Sequence, residues 1–199
     1  MQKRNVGILL FPDVEILDFA GPLEVFSSAS ASEELGGSER LCNVFTMAES
    51  ADPIRCNNPL TVTPDYTLAD CPQMDILLVP GGRGTRPALD RPELIEWIAA
   101  RAAAAELTTS VCTGSFLLAK AGLLDGKSAT TYFGSIEFMR ELFPAVDTQE
   151  NVRWIDAGEV VTSAGVSAGI DMALYLLQRL YGKEVADATA RNIEYDHWN

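Results

Sequence analysis

The chain has 199 residues, of which 47% are hydrophobic and 22% charged, with 15 Lys and Arg against 28 Asp and Glu and a formal charge of −13. That composition is globular and excludes a mainly disordered chain. The negative field repels phosphate backbones and anionic bilayers, so neither nucleic acid nor membrane is an expected partner. The length suits one domain spanning 1–199.

The N-terminal apolar run, Val6 to Phe11, lacks the length and cleavage site of a signal peptide, so a cytoplasmic protein is expected. Its short unbroken apolar character, ended by Pro12-Asp13, predicts a buried strand. A helix should follow, with Pro22 in its first turn and Leu23, Val25 and Phe26 on its apolar side; the Ser/Gly-rich stretch from Ser27 to Ser38 reads as a loop. Cys42 to Met47 predicts the next strand. Between Ala51 and Tyr66 the pattern is β-leaning but broken by Pro53, Pro59 and Pro64, which suits a small hairpin or edge excursion.

Asp75 to Val79 predicts another buried strand, ended by the flexible loop Pro80-Gly81-Gly82-Arg83-Gly84. Pro92 opens an Ala-rich helix expected to reach Ala105, and Leu107 to Val111 returns as a strand. After Cys112-Thr113-Gly114, the segment Ser115 to Ala121 predicts a helix ended by Gly122, then a turn at Asp125-Gly126 and a strand from Ser128 to Thr131. Ser135 is the expected N-cap of a helix running to Leu142, with Pro144 beyond it. Asn151 to Ser163 alternates around Ala157-Gly158 as a hairpin would; Gly169 to Tyr181 is a core-facing helix closed by Gly182, and Lys183 to Asn199 predicts a last helix. This rhythm is that of an α/β fold with a mostly parallel sheet.

Cys42, Cys56, Cys71 and Cys112 form no Cys-x-x-Cys pair, so free thiols are expected. With His197 the single histidine, a metal site built on several imidazoles is impossible, and neither metal nor cofactor is expected. Cys112 alone stands between a predicted strand and a predicted helix. There its sulfur would sit in a tight elbow above the sheet, facing helical N–H groups that lower a thiol pKa. The other three cysteines read as small buried hydrophobes.

Several ordered motifs carry a resemblance: Asp18-Phe19-Ala20-Gly21-Pro22-Leu23-Glu24-Val25-Phe26, Pro80-Gly81-Gly82, Val111-Cys112-Thr113-Gly114, and Ala121-Gly122-Leu123-Leu124-Asp125-Gly126-Lys127 with Ala129-Thr130-Thr131. Together they resemble the DJ-1/PfpI (ThiJ/PfpI) superfamily, and most of all its isonitrile hydratase branch and the amidase-like domains of AraC-type regulators. The resemblance implies a flavodoxin-like three-layer sandwich with helices on both faces of the sheet and a nucleophile elbow at Cys112. It also implies that Asp18, four residues before Pro22, contacts that cysteine. A carboxyl so close to a thiolate should raise one of the two pKa values; the plainer reading of Asp18 is a carboxylate at a helix N-terminus.

The resemblance further places backbone N–H groups of Gly81, Gly82 and Thr113 around the sulfur, where they could stabilise negative charge. A tight turn at the double glycine and a helix cap at Thr113 are the simpler alternatives. Many members carry histidine after Ala-Thr-Thr; here Tyr132-Phe133 stands instead, which disfavours a Cys-His-acid protease triad. His197 could replace it only if the C-terminal tail folded back over the elbow. What remains suits hydration of a small isonitrile to an N-substituted formamide, with Cys112 as nucleophile and Asp18 moving protons. Glyoxalase III-like carbonyl chemistry and a non-catalytic ligand- or redox-sensing cysteine stay open. Family resemblance implies a homodimer acting on a small molecule.

Overall fold

The computed structural model describes residues 1–31 and 39–196. The chain opens with β1 (Arg4–Leu9), whose last four residues are buried, and continues through α1 (Ile16–Ser28) to β2 (Cys42–Ala48). The Pro-broken stretch forms the hairpin β3 (Ile54–Arg55) and β4 (Thr61–Val62), followed by the short edge strand β5 (Tyr66–Thr67). Then come β6 (Ile76–Val79), the single turn α2 (Thr85–Ala88), α3 (Pro92–Ala102), β7 (Leu107–Val111) and α4 (Gly114–Lys120). The C-terminal third contains β8 (Ser128–Ala129), α5 (Ile136–Leu142), β9 (Asp147–Thr148), β10 (Trp154–Asp156), β11 (Val160–Ser163), α6 (Ala168–Tyr181) and α7 (Lys183–Asn192).

Seven strands form one sheet in the order β10-β11-β7-β6-β1-β2-β5, parallel except for β10 against β11. Its five principal strands, β2-β1-β6-β7-β11, therefore run in the doubly wound 2-1-3-4-5 order. The chain leaves β1 toward one edge and leaves β6 toward the other. Right-handed crossovers consequently place their helices on opposite faces. One group is α1, α6 and α7, the other α3 and α4. Between them lies the core, with Ile76, Leu77, Leu78 and Val79 of central β6 wholly inaccessible. Among the described residues no helix is long and apolar enough to cross a membrane.

Several local expectations change. Pro22 lies well inside α1, because the helix already begins at Ile16. It costs that helix the bond to the Asp18 carbonyl. Its surroundings explain the tolerance: α1 meets α6 at a contact where neither side has room for a larger residue. A Cβ on Gly21 would lie 2.8 Å from Ile170 Cγ1, and one on Gly169 would lie 3.0 Å from Val111 and 3.3 Å from the Pro22 ring. The Ala-Gly-Pro part of the first motif is thus a helix-packing device that draws α1 down onto α6.

The strand expected from Ser128 to Thr131 stops at Ala129 and pairs with β9 in a separate two-stranded sheet. Thr130 and Thr131 turn away to bond other elements instead: the Thr130 N–H donates to Thr162 Oγ1 at 2.9 Å and the Thr131 hydroxyl to the Cys112 carbonyl at 3.0 Å. Helix α3 ends three residues before Ala105, and Ser135 occupies the N-cap of α5 without a side-chain capping bond. The hairpin around Ala157-Gly158 forms as β10 and β11, and α7 takes up the first part of the expected last helix. Of the predicted loop between Ser27 and Ser38, residues 32–38 lie outside the described residues, and α1 extends through Ser28.

Gly21→Val should wedge α1 away from α6 and cost about 1–3 kcal/mol of stability. Urea unfolding measures this, and a midpoint equal to wild type would show that the close contact is not required.

Candidate active site

Four parallel strands end along one edge of the sheet. Ile8 of β1 lies opposite Leu78 of β6, Val79 opposite Ser110 of β7, and Val111 opposite Ser163 of β11. The segments leaving β1, β6, β7 and β11 therefore emerge side by side, at the strand C-termini flanking the reversal of strand order. In doubly wound sheets this is where ligands bind.

Cys112 is the first residue after β7 and has φ +57°, a left-handed conformation uncommon for a residue with a Cβ. Its backbone is held from several sides. The N–H is shared between the carbonyls of Ser163 and Ala164 at 3.1 and 3.2 Å, and the carbonyl accepts from Ser115 Oγ and Thr131 Oγ1, each at 3.0 Å. Strain of about 1–3 kcal/mol persists only where surrounding bonds over-determine it, and these do. The elbow expected from the sequence is present.

Asp18 sits on the first turn of α1 and is completely inaccessible. One carboxyl oxygen accepts the Gly81 N–H at 3.0 Å, the other the Val166 N–H at 3.1 Å, and the group also hydrogen-bonds the Cys112 side chain. Val166 has φ +57°, an unusual conformation for a β-branched residue, and so turns its N–H toward the carboxylate. Glycine is required at 81 by crowding: a Cβ there would lie 2.6 Å from the Thr113 nitrogen, 2.8 Å from Asp18 Oδ2 and 2.8 Å from Cys112 Cβ.

The roles anticipated for the loop N–H groups divide. Gly81 N–H is engaged by Asp18, and Gly82 N–H donates to Thr113 Oγ1 at 3.1 Å, so both glycines build the frame. Only Thr113 directs its N–H at the Cys112 sulfur. Thr113 does not cap α4 through its side chain; its hydroxyl ties to Gly82 and Thr85.

Burial, with a smaller contribution from the charge of Glu15, pushes Asp18 up to about 7, against the opposing hydrogen bonds from Gly81, Cys112 and Val166. The Cys112 thiol is also pushed up, first by burial and then by the Asp18 charge, with the Thr113 N–H opposing. The sequence expectation of a lowered thiol pKa is therefore reversed: the start of a seven-residue helix does not offset desolvation beside a carboxylate. Near neutrality the two groups together retain a proton.

Above the sulfur opens a cavity of about 360 Å³, whose lining includes Cys112, Thr113, Tyr132, Glu15, Arg83 and Arg86. Tyr132, at the position where the resemblance expects histidine, packs its ring over Gly134 and Gly165 and lies 4.6 Å from the Phe133 ring, centroid to centroid. It brings a phenol, not an imidazole, to the cavity. His197 lies outside the described residues. All four cysteines are free thiols, and Cys42, Cys56 and Cys71 are buried away from the cavity lining. Val166, Glu15, Arg83 and Arg86 were not anticipated. The small-residue run Ser163-Ala164-Gly165 between strand and helix repeats the style of the Cys112 elbow and signals the Val166 turn.

The sequence model of the DJ-1/PfpI family matches residues 4–179. The chain belongs to the DJ-1/PfpI family. Among similar DJ-1/PfpI proteins, isonitrile hydratase of Pseudomonas putida is 35% identical over 191 residues, 96% of this chain and 78% of that enzyme. The transcriptional regulator GbdR of Pseudomonas aeruginosa is 31% identical over 198 residues, where the chain spans about half of the regulator's length, 52%. The crystal structure of a ThiJ/PfpI family protein from Pseudomonas syringae superimposes with a TM-score of 0.86 at 31% identity, covering 98% of this chain and 76% of that one. Drosophila melanogaster DJ-1beta, at 22% identity and TM-score 0.80 over 99% of this chain and all of its own, shares the fold of this DJ-1/PfpI member.

An acid whose pKa rises on folding contributes stability fully present below its unfolded value and lost as pH climbs through its folded value. For Asp18 that window runs from the ordinary 3.8 to about 7. Wild type should thus lose stability relative to Asp18→Asn across it, on the order of 4 kcal/mol in total. Urea titrations at several pH values measure the difference; parallel pH profiles for the two proteins would contradict the assignment.

Proposed function

We propose that this DJ-1/PfpI protein hydrates small isonitriles to N-substituted formamides. The observation that carries this reading is the pair of Cys112 and Asp18, in direct contact and together retaining a proton beside a cavity of about 360 Å³. An isonitrile carbon needs both a nucleophile and a proton and has no leaving group to be protonated. A thiol–carboxyl pair meets that demand without a histidine.

The steps balance with water as the one other reactant. Sulfur of Cys112 bonds to the terminal carbon as its proton, passed through Asp18, is delivered to that carbon, giving a thioimidate. Water then adds to the same carbon, and the proton it loses is taken by the Asp18 carboxylate and passed to the nitrogen. Cleavage of the carbon–sulfur bond, with the hydroxyl proton of the adduct returning to the pair, releases the formamide and restores the protonated thiol and carboxylate. Negative charge on sulfur, as it attacks and as it leaves, faces the Thr113 N–H. The Pseudomonas putida relative, named an isonitrile hydratase and aligned over most of both chains, supports the choice of this reaction over carbonyl chemistry. Its regulator relatives favour ligand binding without turnover as the second reading.

Purified protein given a simple alkyl or aryl isonitrile should form the matching formamide, detected by mass spectrometry. Cys112→Ser should lower kcat/KM at least about 100-fold and Asp18→Asn about 10- to 100-fold, because each removes half of the proton-relaying pair. Full activity in the Ser variant would exclude covalent catalysis by Cys112; ligand binding with no turnover by wild type would favour the sensing role.

A further inference from the structure

The cavity over Cys112 carries a charge pattern at odds with the rest of the chain. In a polypeptide of formal charge −13, its lining includes two arginines, Arg83 and Arg86, and one accessible carboxylate, Glu15. Both arginines come from the segment that leaves β6, directly after the glycine pair that frames Asp18 and Cys112.

Neither guanidinium forms a hydrogen bond or an ion pair with another described residue; Arg55, Arg101 and Arg191 share that lack, but they lie outside the cavity lining, and Arg4, Arg91, Arg140, Arg153 and Arg179 are each ion-paired. Arg86 is nonetheless oriented: its guanidinium lies over the ring of Phe138, 5.0 Å from the centroid, at the boundary between the Cys112 cavity and an adjoining one that Phe138 lines. Such stacking fixes the plane of the group while leaving its N–H edge available. Glu15, the countercharge in the lining, is held by Asn57 Nδ2 at 2.8 Å and Asn58 Nδ2 at 3.4 Å, outside ion-pair distance of either arginine.

We propose that Arg83 and Arg86 make this cavity selective for small substrates bearing a carboxylate, which the two guanidinium groups hold while the reactive carbon reaches Cys112. A planar guanidinium matches a carboxylate with paired N–H donors. A cavity of about 360 Å³ is at the small end of the range for organic ligands, so a bound anion and the reacting atom share one compartment. Both arginines are exposed at the rim, where a charge acts chiefly on capture from solvent and on salt dependence. The identity of the reaction rests on the hydratase reading, but the anion preference does not.

Two measurements separate these claims. The first compares turnover of isocyanoacetate with that of its neutral methyl ester. The second compares alkylation of Cys112 by iodoacetate and by iodoacetamide, sulfur displacing iodide and the thiol proton passing to buffer, read by mass spectrometry of the Cys112 peptide. For wild type, both anion-to-neutral rate ratios should exceed those of the Arg83→Gln/Arg86→Gln variant by about 10-fold and shrink as salt is raised. The paired Arg→Lys variant should recover part of the preference, since charge is kept and the planar fork is lost. Loss of the alkylation preference in the Gln variant, without isonitrile turnover by wild type, would leave the anion site standing and overturn the hydratase reading. Ratios unchanged by the Gln substitutions would overturn the anion site, as would a Cys112 that takes neither reagent, since the cavity would then not admit small molecules to the sulfur.

Discussion

One buried carboxyl group ties the functional edge of the sheet together. Asp18 enters from the helix after β1, accepts an N–H from the loop after β6 and another from the turn after β11, and touches the thiol after β7. Four separate crossings of the sheet thus converge on two oxygen atoms. A buried carboxylate with too few partners would be costly, and even with these donors burial dominates its titration. The same enclosure that orders the loops therefore forces the pair to keep a proton. Architecture and proton inventory have one cause.

The supporting structure shows what this arrangement requires. Cys112 and Val166 both adopt left-handed backbone conformations that suit neither residue, and both stand at strand ends flanking the carboxyl. Each such residue costs on the order of 1–3 kcal/mol, small beside the burial of a seven-stranded sheet between two helical layers. The close α1–α6 contact at Gly21 and Gly169 brings Asp18 within reach of Val166, and Gly81 lets three backbones approach the same point. Motifs that look like catalytic signatures are in good part packing devices. Thr131, in the Ala-Thr-Thr run, contributes by holding the Cys112 carbonyl.

Much of this was legible in the sequence wherever one local rule sufficed. Apolar runs of strand length, bounded by Pro and Gly, marked β1, β6 and β7, and the position of Cys112 between strand and helix marked the elbow. The asymmetry of Pro22 misled, because a first-turn preference competes with helix packing that only the folded partner α6 reveals. The thiol pKa misled for a related reason. A helix start can be read from a single segment, but desolvation beside Asp18 depends on three others closing around it. Arg83 and Arg86 gave no signal in the linear chain, since what sets them apart from the other arginines is their place in the lining of the Cys112 cavity, and that is a tertiary property.

Tyr132, at the position where the resemblance leads one to expect histidine, bears directly on the chemistry. Hydrolysis of a peptide requires a base to take the nucleophile's proton and then to deliver it to a departing amine. Addition to an isonitrile asks only that the proton reach the carbon under attack. Asp18, touching Cys112 and holding a pKa near neutrality, stands where that transfer begins. Tyr132, its ring packed over Gly134 and Gly165, contributes an aromatic side chain to the lining. Opposite polarities then meet in one compartment: an aromatic wall suited to the body of a small organic molecule, and two guanidinium groups suited to its charged end. On the proposed reading, the thiol–carboxyl pair favours a carbon that accepts both a nucleophile and a proton, and the lining chooses among the molecules that offer one.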